Sequence, residues 1–309
     1  MMKVRIGLVG IGGIAEKVYL PLMHELTGAE WIGFHTRSAG KRELIEKKSG
    51  LKSFEHLADL LQEVDAVMIH AATEAHHSLA MESLLAGKHV YIDKPLAETT
   101  EQAEELVRIA RERKLLLTVG FNRRFAPFYR EIAELPLDSV ASIRMEKHRA
   151  SRVKPVPASE TLFDDYIHLV DTIHWLSAGR PIRLLNGIIQ TDDAGSLVYA
   201  EHSFLIDERI PAHISMHRSC GSNDERLSAV TVNGLYDVRN LSQSTWTKDA
   251  AFVRTAPSWE TILRTKGFTD VVHQFIEAIR EGNPLAVTGE DGVESGRLLD
   301  RIISQSTYI

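Results

Sequence analysis

The chain has 309 residues, 44% hydrophobic and 25% charged, and its 36 Lys+Arg against 42 Asp+Glu leave a formal net charge of −6. That length predicts about two domains that fold without disulfides or a structural metal, and the composition excludes disordered, collagenous and low-complexity classes. A mildly acidic chain lacks the bulk positive charge that drives phosphate-backbone binding, and no apolar run approaches the ~18 residues of a membrane span. No nucleic-acid or membrane partner is therefore expected, and the expected location is cytoplasmic.

The apolar run 4–9 reads as a buried strand, too short for a signal-peptide core. Ile14, Val18, Leu22 and Leu26 recur at helical spacing, with Pro21 expected to kink that helix. Strands are predicted at 31–34, 65–70, 89–92 and 115–119. Helices are predicted at 41–48, at 74–86 with Gly87 as the C-cap, and from Thr99/Thr100 to about Arg113. Strand–helix alternation of this kind predicts parallel strands with crossover helices.

After residue 121 the pattern changes. A helix is predicted at 127–135, a strand at 140–148, a polar loop at 151–160 and a helix at 162–176. Strands follow at 184–191, 197–206, 210–217, 227–232 and 236–246, and helices at 269–280 and 289–303. Short turns between successive strands suit an antiparallel sheet. The expected fold is α/β: an N-terminal Rossmann domain (1–121) with a parallel doubly wound sheet, then an α+β domain (122–309) with a large, open, mostly antiparallel sheet.

The first strand ends in Gly10-Ile11-Gly12-Gly13-Ile14-Ala15, a G-x-G-x-x-A at a strand-to-helix junction. Gly10 permits the tight turn, Gly12 lets backbone approach a pyrophosphate, and Ala15 keeps helix and strand close. The N–H groups of the helix start at Gly13 and Ile14 then face the phosphates. An acid normally takes the ribose 2′-hydroxyl of NAD near the end of strand two. Here that stretch reads His35-Thr36-Arg37-Ser38. Thr36, Arg37 and Ser38, with help from Lys41, could donate to a 2′-phosphate, which favours NADP with NAD as the alternative. Ala72, Thr73 and His76, after the third strand, are placed at the cofactor edge.

Strand 89–92 delivers Asp93-Lys94-Pro95 at its carboxyl end, where ligands bind in open α/β sheets. A lysine there is placed to exchange a proton with a substrate hydroxyl. Gly10-x-Gly12-x-x-Ala15, the run from Ala86 to Leu96 and Gly120-Phe121-Asn122-Arg123-Arg124-Phe125 together resemble the Gfo/Idh/MocA oxidoreductases. Asn122–Pro127, Lys147-His148-Arg149 and Asp164-Asp165-Tyr166 resemble most closely its MviM-like (YceM-like) branch. The resemblance covers essentially the whole chain. It implies an NAD(P)-dependent dehydrogenase or reductase acting on a sugar, polyol or related carbonyl compound. It further implies Lys94 as acid/base and Asp164 and His168, of Asp164-x-x-x-His168, as groups that bind substrate and assist proton transfer. Two departures stand out: the family's usual Glu is Asp93, and a frequent Gly is Tyr166, which could narrow the pocket or offer its hydroxyl to substrate.

Read by spacing alone, Asp164 and His168 lie one turn apart on a helix face. A helix-entry Asp with a core His is the plain alternative, and a metal site with His174 is disfavoured because His174 is rotated off that face. No metal is expected. Asn122 could reach the nicotinamide ribose or the substrate, and Arg123 and Arg124 are either structural or near the cofactor. Lys147-His148-Arg149 either places a cation by an acidic substrate or is a solvated strand end. Cys220, the single cysteine, is expected as a buried thiol. A homodimer or homotetramer is expected from the exposed sheet face. Two rival functions remain open: a non-catalytic dinucleotide-binding sensor, and a reductase of a non-sugar ketone or imine.

Overall fold

A computed structural model describes residues 3–151 and 156–309; the 152–155 part of the expected polar loop lies outside the described residues. The chain divides into two compact units: Met1–Phe121 with Phe268–Val293, and Asn122–Gly267 with Glu294–Ile309. No described helix is long and apolar enough to cross a membrane.

The first unit is built on a six-stranded sheet in the order β3-β2-β1-β4-β5-β6. The strands are β1 (Val4–Val9), β2 (Ala29–His35), β3 (Ser53–Phe54), β4 (Ala66–Ile69), β5 (His89–Ile92) and β6 (Leu117–Val119). All pair in parallel. Parallel strands covered on both faces carry continuous apolar runs, and β4 shows this with all four residues buried. Each fully buried aliphatic side chain of this kind contributes roughly 1.5–3 kcal/mol. The Thr100–Glu112 helix begins where Thr99 accepts a hydrogen bond from the Gln102 N–H, and it buries Ala103, Leu106, Val107 and Ala110.

Three local features depart from the sequence-based expectation. The first helix stops at Leu22 rather than Leu26 and contains a π turn at Ala15–Tyr19. Pro21 has no N–H, and the wider turn just before it absorbs the missing bond, with the Leu20 N–H donating to the Ala15 carbonyl. A short strand β3 and the Leu57–Glu63 helix stand between β2 and β4. Third, the expected 122–309 domain is not continuous, because Phe268–Val293 belongs to the first unit. The Phe268–Glu281 helix buries Val271, Val272, Phe275 and Ile276. Phe275 packs 5.9 Å from Tyr91 and Phe268 packs 6.2 Å from Tyr19. Thr118 Oγ1 donates to the Val287 carbonyl at 2.5 Å.

The second unit is a nine-stranded sheet in the order β14-β13-β12-β11-β7-β10-β9-β8-β15. Its strands are β7 (Val140–His148), β8 (Ile182–Thr191), β9 (Leu197–Ile206), β10 (Ile210–His217), β11 (Asp224–Thr231), β12 (Gly234–Arg239), β13 (Gln243–Thr247), β14 (Ala251–Thr255) and β15 (Thr307–Tyr308). All neighbours are antiparallel except β7 with β10 and β8 with β15. The expected single strand 236–246 is two strands, because Asn240 and Leu241 take positive φ (51° and 59°) and turn the chain. Asn-Gly is the strong hairpin signal, and Asn-Leu hides the turn. The Ile167–Leu176 helix covers one sheet face, burying Leu169, Val170 and Ile173. Cys220 is exposed rather than buried, and its thiol donates to the Ser222 carbonyl.

Candidate active site

In the first unit the site sits at the carboxyl edge of the parallel sheet. The β1 end turns at Gly10, whose φ of +78° suits glycine. A Cβ there would stand 2.6 Å from the Ala71 backbone, so the turn also needs the space. A Cβ on Gly12 would meet the His70 carbonyl at 3.2 Å, while Gly13 faces open space. Gly13 is exposed and Ile14 is 37% exposed, at the start of the helix. This is an open cradle of backbone N–H groups, and it fits the pyrophosphate of a dinucleotide.

The β2 end places Thr36 half-buried and Arg37 and Ser38 exposed. Ser38 caps the Ala39–Ser49 helix, accepting from the Lys41 N–H at 3.3 Å. Lys41 pairs with Glu16 at 3.1 Å and is committed there. Arg42, which sequence reasoning missed, donates to the Thr36 and Arg37 carbonyls at 2.9 and 3.0 Å and fixes the turn. Among the described residues the Arg37 guanidinium has no carboxylate within ion-pair distance.

Beyond β4, Ala72 is exposed and Thr73 half-buried, on a 3₁₀ turn at Thr73–Ala75. His76, expected at the cofactor edge, is buried between the turns that follow β4 and β5. It is 1% exposed, with Nδ1 2.8 Å from the Pro95 carbonyl and Nε2 3.1 Å from the Ala71 carbonyl. Burial lowers its pKa, against the pull of those two carbonyls and of Asp93. His76 therefore acts as an internal brace between the turn after β4 and the Lys94-Pro95 turn. Asp93 Oδ1 accepts from the Lys94 N–H at 2.9 Å, which shapes that turn, and Asp93 and Lys94 are both half-buried.

Beneath the glycine loop lies a neutral polar core. His70 stacks on Tyr19 with ring centroids 3.7 Å apart, and the Tyr19 and Tyr91 hydroxyls are 2.8 Å apart. Burial, and after it the charge of His76, pushes His70 down to about 3, so the ring is neutral at ordinary pH.

In the second unit, Asp164 and Asp165 lie on a π turn, Leu162–Tyr166, that runs into the Ile167–Leu176 helix. Asp164 is exposed and His168 half-buried, on the less covered side of the helix. Tyr166 is not in a pocket. It is fully buried, and its hydroxyl is 2.6 Å from His202 Nδ1. His202 Nε2 is 2.7 Å from Ser306 Oγ, which donates to the Ile302 carbonyl. The chain is satisfied if Tyr166 donates to His202, His202 to Ser306 and Ser306 to Ile302, an assignment made from the network. Burial and the charge of His213 hold His202 down at about 4, consistent with the neutral ring. Gly187 makes the room: a Cβ there would meet His202 Cδ2 at 2.0 Å.

Asn122 is likewise committed elsewhere; it is 3% exposed and its Nδ2 donates to the Lys266 carbonyl at 2.8 Å. Arg123 and Arg124 are structural. Arg123 holds Glu225 in a two-pronged pair at 2.6 and 2.7 Å, with the Tyr129 hydroxyl donating to the same carboxylate at 3.0 Å. Burial would raise Glu225, but the Arg123 charge and hydrogen bonds hold it at about 2. Arg124 pairs with Asp171, which also accepts from Ser295 at 3.1 Å.

Sequence reasoning missed Asp165. Its carboxylate accepts from Lys147 Nζ, Arg149 Nε and NH2 (2.8 and 2.7 Å) and Arg218 NH1. Lys147, 4% exposed, is pulled down to about 7 by burial and by the charge of Arg123, against the carboxylates of Asp165 and Glu225. Alternation along β7 could have pointed inward: Ile143, Met145 and Lys147 share one parity.

Comparison with known proteins follows the same division. The family described as "Oxidoreductase family, NAD-binding Rossmann fold" matches residues 4–121, and "YceM-like, C-terminal domain" matches residues 127–249. The chain is 39% identical to YceM of Salmonella typhimurium over 98% of each chain. It is 26% identical over 184 residues to an inositol 2-dehydrogenase of the same species, covering 57% of this chain and 55% of that one. A crystal structure of the dehydrogenase MviM from Clostridium difficile superposes with a TM-score of 0.93 at 32% identity, covering 97% of this chain and 99% of that one.

Proposed function

The chain belongs to the Gfo/Idh/MocA oxidoreductases, with an NAD-binding Rossmann fold and a YceM-like C-terminal domain, and from that premise we propose that it oxidises or reduces a sugar or polyol with Lys94 as acid/base. The carrying observation is the placement of two features on one sheet edge. The glycine cradle follows β1 and Lys94 follows β5, with β4 between them in a parallel sheet. Two strand spacings put them about 10 Å apart, a span over which a dinucleotide's nicotinamide and pyrophosphate can both be served.

A nicotinamide dinucleotide held at the Gly10–Ala15 cradle would supply or accept the hydride. Lys94 holds or takes the proton at the substrate oxygen, and the Asp93 and His76 contacts fix the turn that carries it. Asp164 and His168, exposed and half-buried on one helix of the second unit, are the groups proposed to hold the substrate there. Thr36, Arg37 and Ser38 at the end of β2 favour NADP over NAD, since an exposed guanidinium suits a 2′-phosphate. Val230, Leu235 and Val253, exposed at 43%, 51% and 57%, share one sheet face and support a homodimer or homotetramer.

Lys94→Met tests the assignment. The expected result is unchanged NADPH binding, read by nucleotide fluorescence, with turnover on the active sugar lowered at least ~10²-fold. Turnover near wild type overturns it. Titration of NADPH against NADH tests the Arg37 reading, and a tighter constant for NADH overturns that.

A further inference from the structure

The inward face of the second sheet changes character along its strands. Ile143 and Met145 on β7, Ile214 and Met216 on β10 and Leu227 on β11 are apolar and buried. At one end the same parity continues as Lys147 and Arg149, Arg218 and Glu225, with Asp165 reaching in from the π turn. Of these carboxylates, Glu225 is taken by Arg123 and Tyr129. Glu146, from the other parity of β7, pairs with Arg144 at 3.6 Å.

Three cations thus converge on one carboxylate. An ammonium and two guanidiniums carry about 13 N–H bonds in all, and Asp165 accepts from four of their nitrogens. The Glu225 carboxylate also acts on Lys147 and Arg149 but is held by Arg123 and Tyr129, and the Met216 sulfur stands 3.9 Å from Arg218 NH1. The side chains of Lys147 and Arg218 are 5% and 10% exposed, whereas Arg149 is 35% exposed and opens the cluster to solvent. A buried excess of positive charge is costly without acceptors, and in a chain of net charge −6 it is not a by-product of overall composition.

We propose that Lys147, Arg149 and Arg218 form an anion subsite, and that the substrate carries a phosphoryl or carboxyl group that enters beside Arg149. The proposal rests on the reading above that the second unit binds the substrate, and it narrows the sugar or polyol to an anionic derivative. Guanidiniums suit both groups because each offers two or more acceptor oxygens to a planar fork.

The test uses the full chain with the dinucleotide site saturated by NADPH, so that added anions cannot occupy the pyrophosphate cradle. Calorimetric titrations with inorganic phosphate, glucose 6-phosphate, gluconate and myo-inositol compare wild type with Arg149→Gln, Arg218→Gln and Arg149→Lys. At least one anion should bind the wild type, and Arg149→Gln and Arg218→Gln should each weaken it at least 10-fold. Arg149→Lys should recover part of the loss, and myo-inositol binding should not change. Tighter glucose 6-phosphate than gluconate assigns the phosphoryl source, and the reverse assigns the carboxylate. Absence of binding by every anion, or equal binding to wild type and all three variants, overturns the proposal. No turnover enters the readout, so failure of the Lys94 assignment leaves this result standing, and the converse holds. Circular dichroism of each variant, with Arg149→Lys as the conservative partner, separates a lost ligand site from a lost fold.

Discussion

The two units bury polar groups in opposite ways. The first keeps its interior neutral beneath the glycine loop: His70 is stacked on Tyr19, and Tyr19 stands against Tyr91. The second buries full charges: Arg123 with Glu225, Arg124 with Asp171, and three cations around Asp165. A dinucleotide is the same ligand from one relative to the next, so backbone shape suffices to hold it. On the proposed placement of the substrate in the second unit, the cations around Asp165 supply side-chain charges whose sign and position change by substitution without moving the strands.

The largest effect that would separate the two designs is the loss of a buried partner. Arg124→Ala strands Asp171 and should destabilise the second unit by about 3–5 kcal/mol, measured by urea unfolding; a loss below 1 kcal/mol would erase the contrast. Acid comes next. Both units hold a neutral buried His, His70 at about 3 and His202 at about 4, against 6.5 when exposed. Each contributes stability that is full above pH 6.5 and is lost as pH falls toward its folded value.

Only the second unit adds Glu225, whose folded value of about 2 lies below the ordinary 4.5. That stabilisation, on the order of 3 kcal/mol, is full above pH 4.5 and disappears as pH falls toward 2. Asp165 is held low in the same direction, its burial outweighed by Lys147 and Arg149. Hydrogen exchange followed from pH 6.5 to 3 should therefore show the second unit losing protection more steeply below pH 4.5. Parallel losses in the two units would refute this.

Smaller effects sharpen the comparison from the first unit. Gly10→Ala puts a Cβ against the Ala71 backbone at a positive φ and should reduce stability by about 1–3 kcal/mol. It should also weaken NADPH binding while leaving phosphate binding in the second unit unchanged. Tyr166→Phe removes one donor to His202 and should lower stability by about 1 kcal/mol, with KM for the sugar unaltered. A raised KM there would return Tyr166 to the substrate pocket.

The sequence discloses the first unit better than the second for a physical reason. Glycines, a strand end and a Lys-Pro pair act through local backbone geometry, so their spacing is visible in a short window. Residues that meet across the sheet are not: Arg123 and Glu225 stand 102 positions apart, and Tyr166 and His202 stand 36 apart. The family pattern suggests a pocket role for Tyr166 because it replaces a small residue. Only the partner at His202 and the absent side chain at Gly187 reveal that it fills the interior. His76 misleads for the opposite reason, since a histidine after a strand reads as a site residue until its two carbonyl partners are seen. Asp165 and Arg42 were legible only as residue types, because their partners lie on other elements or in a turn.

The return of Phe268–Val293 to the first unit bears on how the protein is made. A chain emerging from the ribosome folds from its N-terminus at roughly 5–20 residues per second. The sheet of the first unit is complete by Val119, yet the apolar helix that buries Phe275 against Tyr91 begins only at Phe268. Its surface therefore waits through the synthesis of the eight strands β7 to β14 of the second sheet. A nascent chain arrested after residue 267 should bind a hydrophobic dye or a chaperone, and one extended through residue 293 should not. Exchange of the nucleotide-binding half between relatives by cutting at residue 121 would likewise leave that surface bare, so a working graft must carry both segments.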